Sequence, residues 1–255
     1  MKEDSKLIEI LKEYKDKIDL ETRFNYPFNI DSNVFTEDEN RELSVESIFR
    51  KNVKLKGLIQ RKYNGSFKNQ KLNFWIINSW GGIQTFKHTD KNELKIEKFS
   101  KQLQLPKKKL TAETFYTISS LSKIASFFDP DNYVIYDSRV IYAMNWFILN
   151  SKPNDLKFFP MPSSRNSKLV DFDLNTIINL LNLDGYNKGD SFFYDVNEAY
   201  FVFCNLIKDL SKKVYEDATV KPYLLEMLLF TVAVDEVLNE VKTRTFIEIK
   251  NEFAK

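Results

Sequence analysis

The chain has 255 residues and a formal net charge of +2, with 22 Phe and 12 Tyr but 6 Gly, one Cys and one His. That length suffices to bury a real core as one globular unit over residues 1–255, in one large domain or two closely packed lobes. Scarce glycine argues against Gly-rich phosphate cradles, Rossmann crossovers and multi-blade β architectures, and a lone Cys204 and His88 leave no material for a disulfide framework, a zinc cluster, a cysteine-ligated iron–sulfur centre or a Ser-His-Asp triad. No metal and no cofactor is expected.

From the N-terminus, Met1 to Asp19 is charged throughout, so a secretory leader is not expected. Leu7, Ile8, Leu11, Tyr14 and Ile18 recur at helical spacing behind Ser5, which predicts an amphipathic helix. Residues 25–42 lack a sustained period and read as loop. A second helix is predicted from Ser44 towards Leu58, and another over Asn69 to Ile77, stopped at Gly81-Gly82. His88, in a polar stretch, is expected to be exposed.

Charge is unevenly distributed along this part of the chain. Residues 1–49 carry 7 basic and 13 acidic side chains, residues 50–109 carry 16 and 3, and the remainder 15 and 20. So few acids within the middle block favour a nucleic-acid footprint over a merely solvated lysine-rich face. Aromatic residues are interleaved with the charge, and such rings serve either as core or as platforms on which bases stack.

Leu105 and Pro106 open a basic loop, Lys107-Lys108-Lys109, that leads to Thr111, the predicted N-cap of a helix through Phe128. Asp129-Pro130 ends that helix, and the β-branched and aromatic residues after it favour an extended run to Asp137. Asp137 falls at the N-cap of a helix, Ser138 to Leu149, that is apolar almost all round and therefore buried. Pro160 and Pro162 bracket a loop containing Arg165 and Lys168. Asp173 is predicted to cap a helix to Leu183, ended by Asp184-Gly185. Asp195 and Glu198 have the spacing of a capping box for a helix through Ser211 that holds Cys204 as a small core residue, and Pro222 suits the first turn of a last long helix to about Lys242. The longest apolar stretch is interrupted by Glu226 and too short to span a bilayer, so a cytoplasmic protein with no membrane partner is expected. The fold class is mainly α.

The segment from Ser119 to Trp146 resembles the helix-hairpin-helix superfamily of DNA glycosylases. It holds a helix, the Asp129-Pro130 turn, a short apolar run, then Asp137, the hydroxyl residue Ser138 and a Val, Val140, in the first turn of a buried helix. The family places its catalytic aspartate in a Pro-Val-Asp-Thr-His-Val-like run, and Asp137 is the matching position. The usual Gly-Val-Gly-like hairpin is absent, since Thr117 to Leu121 contains no glycine; Ser119, Ser120 and Ser122 offer hydroxyls to a DNA phosphate instead. Where bifunctional members carry a lysine nucleophile this chain has Ser119, and Lys123 stands one helical turn later.

What the resemblance implies is two packed helical lobes with a central cleft, and base excision from DNA by a monomer, monofunctional unless Lys123 takes part. A fixed carboxylate, Asp137, would stabilise the oxocarbenium-like sugar as the N-glycosidic bond breaks. By residue type alone, Trp75, Trp80, Tyr136, Tyr142 and Trp146 are candidates for the flipped-base pocket, and Lys107, Lys108, Lys109, Arg139, Arg165 and Lys168 for phosphate contacts. The role is DNA repair, or defence by excision of modified phage bases. Two other readings stay open: a non-catalytic DNA-binding helical protein in which Asp137 is only a cap, and a metal-dependent nuclease using Glu248-Ile249-Lys250.

Overall fold

The computed structural model describes residues 5–44, 47–153, 156–163, 167–181 and 192–245. The chain is mainly helical; among the described residues there is no strand, and one parallel bridge joins Phe158 to Phe193. Helix α1 (Ser5–Lys17) buries Leu7, Leu11 and Tyr14, as its spacing predicts. A short α2 (Leu20–Arg23) follows Asp19, whose carboxylate accepts from the Glu21 amide.

The first departure from the sequence reading is α3 (Glu37–Ser44), which begins within the segment read as loop and ends where the second helix is predicted to start. Its signal is a reciprocal cap: the Thr36 amide donates to Glu39 Oε2 at 2.8 Å, and the Glu39 amide donates to Thr36 Oγ1 at 3.3 Å. Leu43 is its one buried residue, so no hydrophobic period marks it. Helix α4 (Ile48–Tyr63) starts behind Ser47 rather than Ser44 and ends where Asn64 and Gly65 turn left-handed, φ 43° and 76°.

Helix α5 (Gln70–Phe74) continues directly into a π-helical turn, Trp75–Trp80, that ends at Gly81. After α6 (Asp90–Gln104), the single helix predicted behind Thr111 is broken in two, α7 (Ala112–Tyr116) and α8 (Ile118–Phe128). Thr117 makes the break: its hydroxyl donates back to the Thr114 carbonyl at 3.2 Å, and its backbone (φ −108°, ψ 16°) leaves the helical region. Helix α9 (Ser138–Ser151) is buried on nearly every face.

Helices α10 (Ser167–Val170) and α11 (Leu174–Leu181) follow, the second capped by Asp173 as predicted; its expected end at Leu183 and the Asp184-Gly185 stop lie outside the described residues. The Asp195–Glu198 box does not form. The Asp195 side chain takes the Asn197 amide instead, Glu198 turns to Lys109, and α12 (Ala199–Tyr215) begins only after them. The last helix is one rod in three parts, α13 (Pro222–Val232), a π-helical turn at Ala233–Val237, and α14 (Leu238–Arg244).

Helix α9 packs on α1 and α13, and α12 packs on the same two; α4 packs on α8, and α8 on the Trp75–Trp80 turn. The extended stretch between α8 and α9 therefore carries the chain from one packing group to the other. No described helix is long and apolar enough to cross a membrane.

Candidate functional site

Residues 133–137 are extended without a strand partner, so side chains from three helices satisfy their buried backbone groups. Ser122 Oγ on α8 accepts the Tyr136 amide at 3.0 Å, Glu226 Oε2 on α13 accepts the Ile135 amide at 3.0 Å, and Tyr200 Oη on α12 donates to the Val134 carbonyl at 3.3 Å. Held this way, the run delivers Asp137 to the N-cap of α9, where Oδ1 accepts the Val140 amide at 3.0 Å. Its other oxygen, Oδ2, lies 3.9 Å from Lys123 Nζ, with the two side chains 14% and 7% exposed. One carboxylate thus caps a helix with one oxygen and presents the second to a buried amine.

Lys123 reaches this position along a path that Gly81 keeps open. A Cβ at Gly81 would stand 2.7 Å from Lys123 Cδ and 2.6 Å from the Ile77 carbonyl oxygen. The π-helical turn before it also presents Trp80, whose ring centre is 5.8 Å from Lys123 Nζ and whose indole N–H donates to Asn52 Oδ1 at 2.9 Å. Inserted turns of this kind recur at functional sites because the extra residue re-aims side chains. Around the pair, Phe24, Tyr26, Trp80, Met227 and Phe230 form an apolar wall, and Lys56 and Glu226 complete the lining.

Lys56 and Glu226 are buried, 1% and 4% exposed. Lys56 Nζ donates to Ser126 Oγ at 3.4 Å and lies 4.7 Å from the Phe127 ring centre and 5.4 Å from that of Tyr223. Burial pushes the Lys56 ammonium below the usual lysine range, Glu226 opposing and Lys123 adding to the shift. Burial pushes the Glu226 carboxyl up; Lys56 and the Ile135 amide oppose this, and the charge of Asp137 adds to it. Tyr26 is pushed up to about 12 by burial and by Asp137.

The space these residues enclose is about 20 Å³, room for one water and far less than a nucleobase. An edge-to-face pair, Tyr26 and Phe230 at 5.4 Å, packs beside it, and the Arg139 guanidinium lies 4.7 Å from the Phe230 ring centre.

The structure sorts the residues singled out by sequence. Of the five aromatic pocket candidates Trp80 lines this pocket, and four do not. Trp75 is core, against Phe28 and Phe35; Tyr136 is fully buried with its hydroxyl on the Pro160 carbonyl; Trp146 donates to Glu240 and stacks under Arg244. Tyr142 lines a separate, wider depression of about 770 Å³ with Tyr116, Ser138, Met161 and Asp173. Ser119, Ser120 and Ser122 are not available to a phosphate, because α8 is buried almost all round; Ser122 is spent on the Tyr136 amide. Lys107, Lys108 and Lys109 are exposed, Lys108 reaching Tyr133 Oη at 3.4 Å and Lys109 pairing with Glu198 at 2.7 Å.

Lys168 lies on α10, while Arg165 and the Glu248-Ile249-Lys250 triplet fall outside the described residues. His88 is exposed and bonds Glu93, and the Cys204 thiol is buried and pushed up to about 12 by that burial. Among the described residues no three His, Cys, Asp or Glu are grouped to hold a metal ion. Sequence reasoning missed Phe24, Tyr26, Lys56, Glu226 and Phe230, all distant in the chain from Asp137. The one available signal was Glu226, a charged residue inside an apolar run; Lys56 stands among other basic residues and gave none.

No family model, no curated protein and no solved structure matches this chain.

Proposed function

We propose that this protein is a DNA glycosylase of helix-hairpin-helix type that removes a damaged or modified base, with Asp137 and Lys123 as its catalytic pair. The observation that carries the reading is the 3.9 Å approach of Lys123 Nζ to Asp137 Oδ2 inside a nearly dry, aromatic-walled pocket. Burying an amine and a carboxylate without a close bond between them is costly, and such arrangements concentrate where chemistry needs them. In this reading the α4–α8 group and the α9–α12–α13 group are the two lobes, and the pocket where they meet is the base-binding cleft.

As the C1′–N bond breaks, the sugar gains positive charge that the Asp137 carboxylate stabilises. Water, or the Lys123 amine, then takes C1′. Attack by Lys123 gives an imine after ring opening and lets strand cleavage follow, so the buried lysine favours a bifunctional enzyme over a purely hydrolytic one. Tyr26 and Phe230 move aside to admit the base, and Arg139, Lys107 and Lys108 contact the backbone that is strained by flipping.

The test is incubation with a panel of duplexes carrying damaged and phage-type modified bases, with an abasic-site cleavage step to reveal excision. Asp137→Asn retains a good N-cap. Excision reduced about 100-fold or more with DNA affinity and melting temperature kept supports the enzyme, and borohydride trapping that depends on Lys123 supports the imine. Unchanged excision in Asp137→Asn sinks the catalytic assignment. DNA binding without excision of any base favours the non-catalytic DNA-binding reading, for which the Asp137 Oδ1 cap alone suffices.

A further inference from the structure

Two ionisable groups in the pocket, Glu226 and Lys56, have no part in the chemistry above, yet both are buried at least as deeply as the pair that does. Glu226 shares the pocket with Asp137, and its Oε2 is fixed by the Ile135 amide, two residues before Asp137, at 3.0 Å. Lys56 lines the same pocket but forms no ion pair within 4.0 Å with Glu226; its ammonium is met by Ser126 and two aromatic rings. The site therefore presents two carboxyl groups in unlike surroundings. Asp137 sits at a helix N-terminus opposite an amine, and Glu226 is buried on α13 with the Ile135 amide on one oxygen and no ion pair within 4.0 Å among the described residues.

We propose that Glu226 is the proton donor to the departing base, acting as a general acid beside Asp137. The assignment rests on the glycosylase reading and adds to it the group that protonates the leaving nitrogen. As the C1′–N bond breaks, its electron pair goes to the base, the proton on Glu226 passes to that base, and Glu226 becomes a carboxylate facing Lys56. The nucleophile that takes C1′, water or the Lys123 amine, sheds a proton that returns to Glu226, so the donor is restored. Two carboxyl groups in unlike surroundings are the usual basis for dividing acid and stabiliser between them.

Burial and the Asp137 charge hold Glu226 towards its neutral form, which is the form a donor needs. The charged and titratable groups that face it are Lys56 on α4, Lys123 on α8, Asp137 ahead of α9, and Tyr200 and Cys204 on α12. Because the donor is the protonated acid, excision of a neutral base falls as pH rises through the raised value. A base that is already cationic, such as an N7-methylated purine, leaves without a proton and is indifferent to the donor.

The experiment compares wild type and Glu226→Gln in single-turnover excision of a neutral modified base and of N7-methylguanine in the same duplex. The amide still accepts the Ile135 N–H but cannot give a proton. The expected result is a loss of about 100-fold or more on the neutral base with the cationic base little affected. Equal losses on both bases, or no loss on either, overturn the assignment; the first makes Glu226 an anchor for Ile135 and nothing more. Should Glu226→Gln not fold, or should wild type act on the neutral base alone, the wild-type pH profile decides. Excision of the neutral base falls on the alkaline side by about tenfold per pH unit if Glu226 is the donor, and a flat alkaline side overturns it. A wild-type protein that excises neither base removes the glycosylase reading itself, a result distinct from all of these.

Discussion

On the outer face of α4 two basic side chains pair closely with acids of the N-terminal segment, Arg50 with Glu21 at 2.5 Å and Lys62 with Glu39 at 2.7 Å, while Arg61 meets Glu42 more loosely at 3.8 Å. On the inner face of the same helix, Lys56 enters a pocket with Lys123, Asp137 and Glu226, where the one approach within 4.0 Å is that of Lys123 to Asp137 at 3.9 Å. The difference is one of cost. Solvent reaches the outer pairs and screens them, so they form at little desolvation cost. The inner groups have lost water and, although amides bind Glu226 and Asp137 at 3.0 Å, none gains a close ion pair among the described residues, a penalty of several kcal/mol per ion unless they neutralise. Stability explains the outer set and does not explain the inner one, which is why function is sought there. The same comparison reduces the basic block as a DNA footprint, since much of its charge is met by acids within the fold.

The sharpest way to break the inner set while leaving the outer one intact is Gly81→Ala. The new methyl would collide with the Ile77 and Ile76 carbonyls at 2.6 and 2.8 Å and with Lys123 Cδ at 2.7 Å. Backbone cannot yield cheaply, so the expected cost is about 1–3 kcal/mol, read by chemical denaturation, together with loss of whatever activity depends on Lys123. Gly65→Ala is the control. Gly65 adopts a left-handed backbone (φ 76°), which Gly81 (φ −78°) does not, but has open space around it, so strain of about 1 kcal/mol should appear there without any effect on the pocket. Equal loss of activity at both positions would mean that it follows from lowered stability and not from the lysine that Gly81 lets through.

A second prediction concerns the exposed basic loop ahead of α7. Lys107 and Lys108 are exposed and form no ion pair among the described residues, whereas Lys109 is tied to Glu198, which raises its pKa through a hydrogen bond and the carboxylate charge. Charge reversal at Lys107 and Lys108 together should weaken DNA binding and flatten the dependence of log affinity on log salt by about 2. Glu198→Gln should leave binding unchanged or strengthen it, by freeing Lys109. Titration by fluorescence anisotropy at several salt concentrations reads both, and an unchanged slope in the double variant would place the DNA contact elsewhere.

The part of the site that lies within one stretch of chain was legible. Asp137 was readable as an N-cap because capping is local chemistry, and Lys123 as a helical neighbour because its spacing is local too. Lys56 and Glu226 were not, because their partners are 70 and 91 residues away along the chain, at Ser126 and Ile135. Helix existence followed the same rule. The periodic α1, the apolar α9 behind its Asp137 cap and the last helix behind Pro222 were visible, while α3, held by a Thr36–Glu39 cap and a single buried leucine, gave no period to detect. The aromatic candidates failed for a different reason. In a chain with so many rings, residue type does not separate a pocket wall from a core, and only the packing shows that Tyr26 and Phe230, not Trp75 or Trp146, stand beside Asp137.

The smallest expected effect tests the outer set on its own terms. Glu39 accepts from Lys62 with both oxygens, at 2.8 and 2.7 Å, and the two side chains are 20% and 21% exposed. Burial there works against the carboxylate, but the Lys62 bonds, the Thr36 amide and the lysine charge outweigh it, so Glu39 is held below the usual range. A carboxyl lowered in the fold lends stability that is present above its unfolded value, about 4.3, and lost as pH falls through the lower folded one. Glu39→Gln keeps the capping box of α3 and removes only the charge. It should cost about 1 kcal/mol or less at neutral pH and nothing once the pH lies below the folded value. A larger cost, or one that persists in acid, would show that this pair is held by packing and shape and not by the ionic attraction between Lys62 and Glu39.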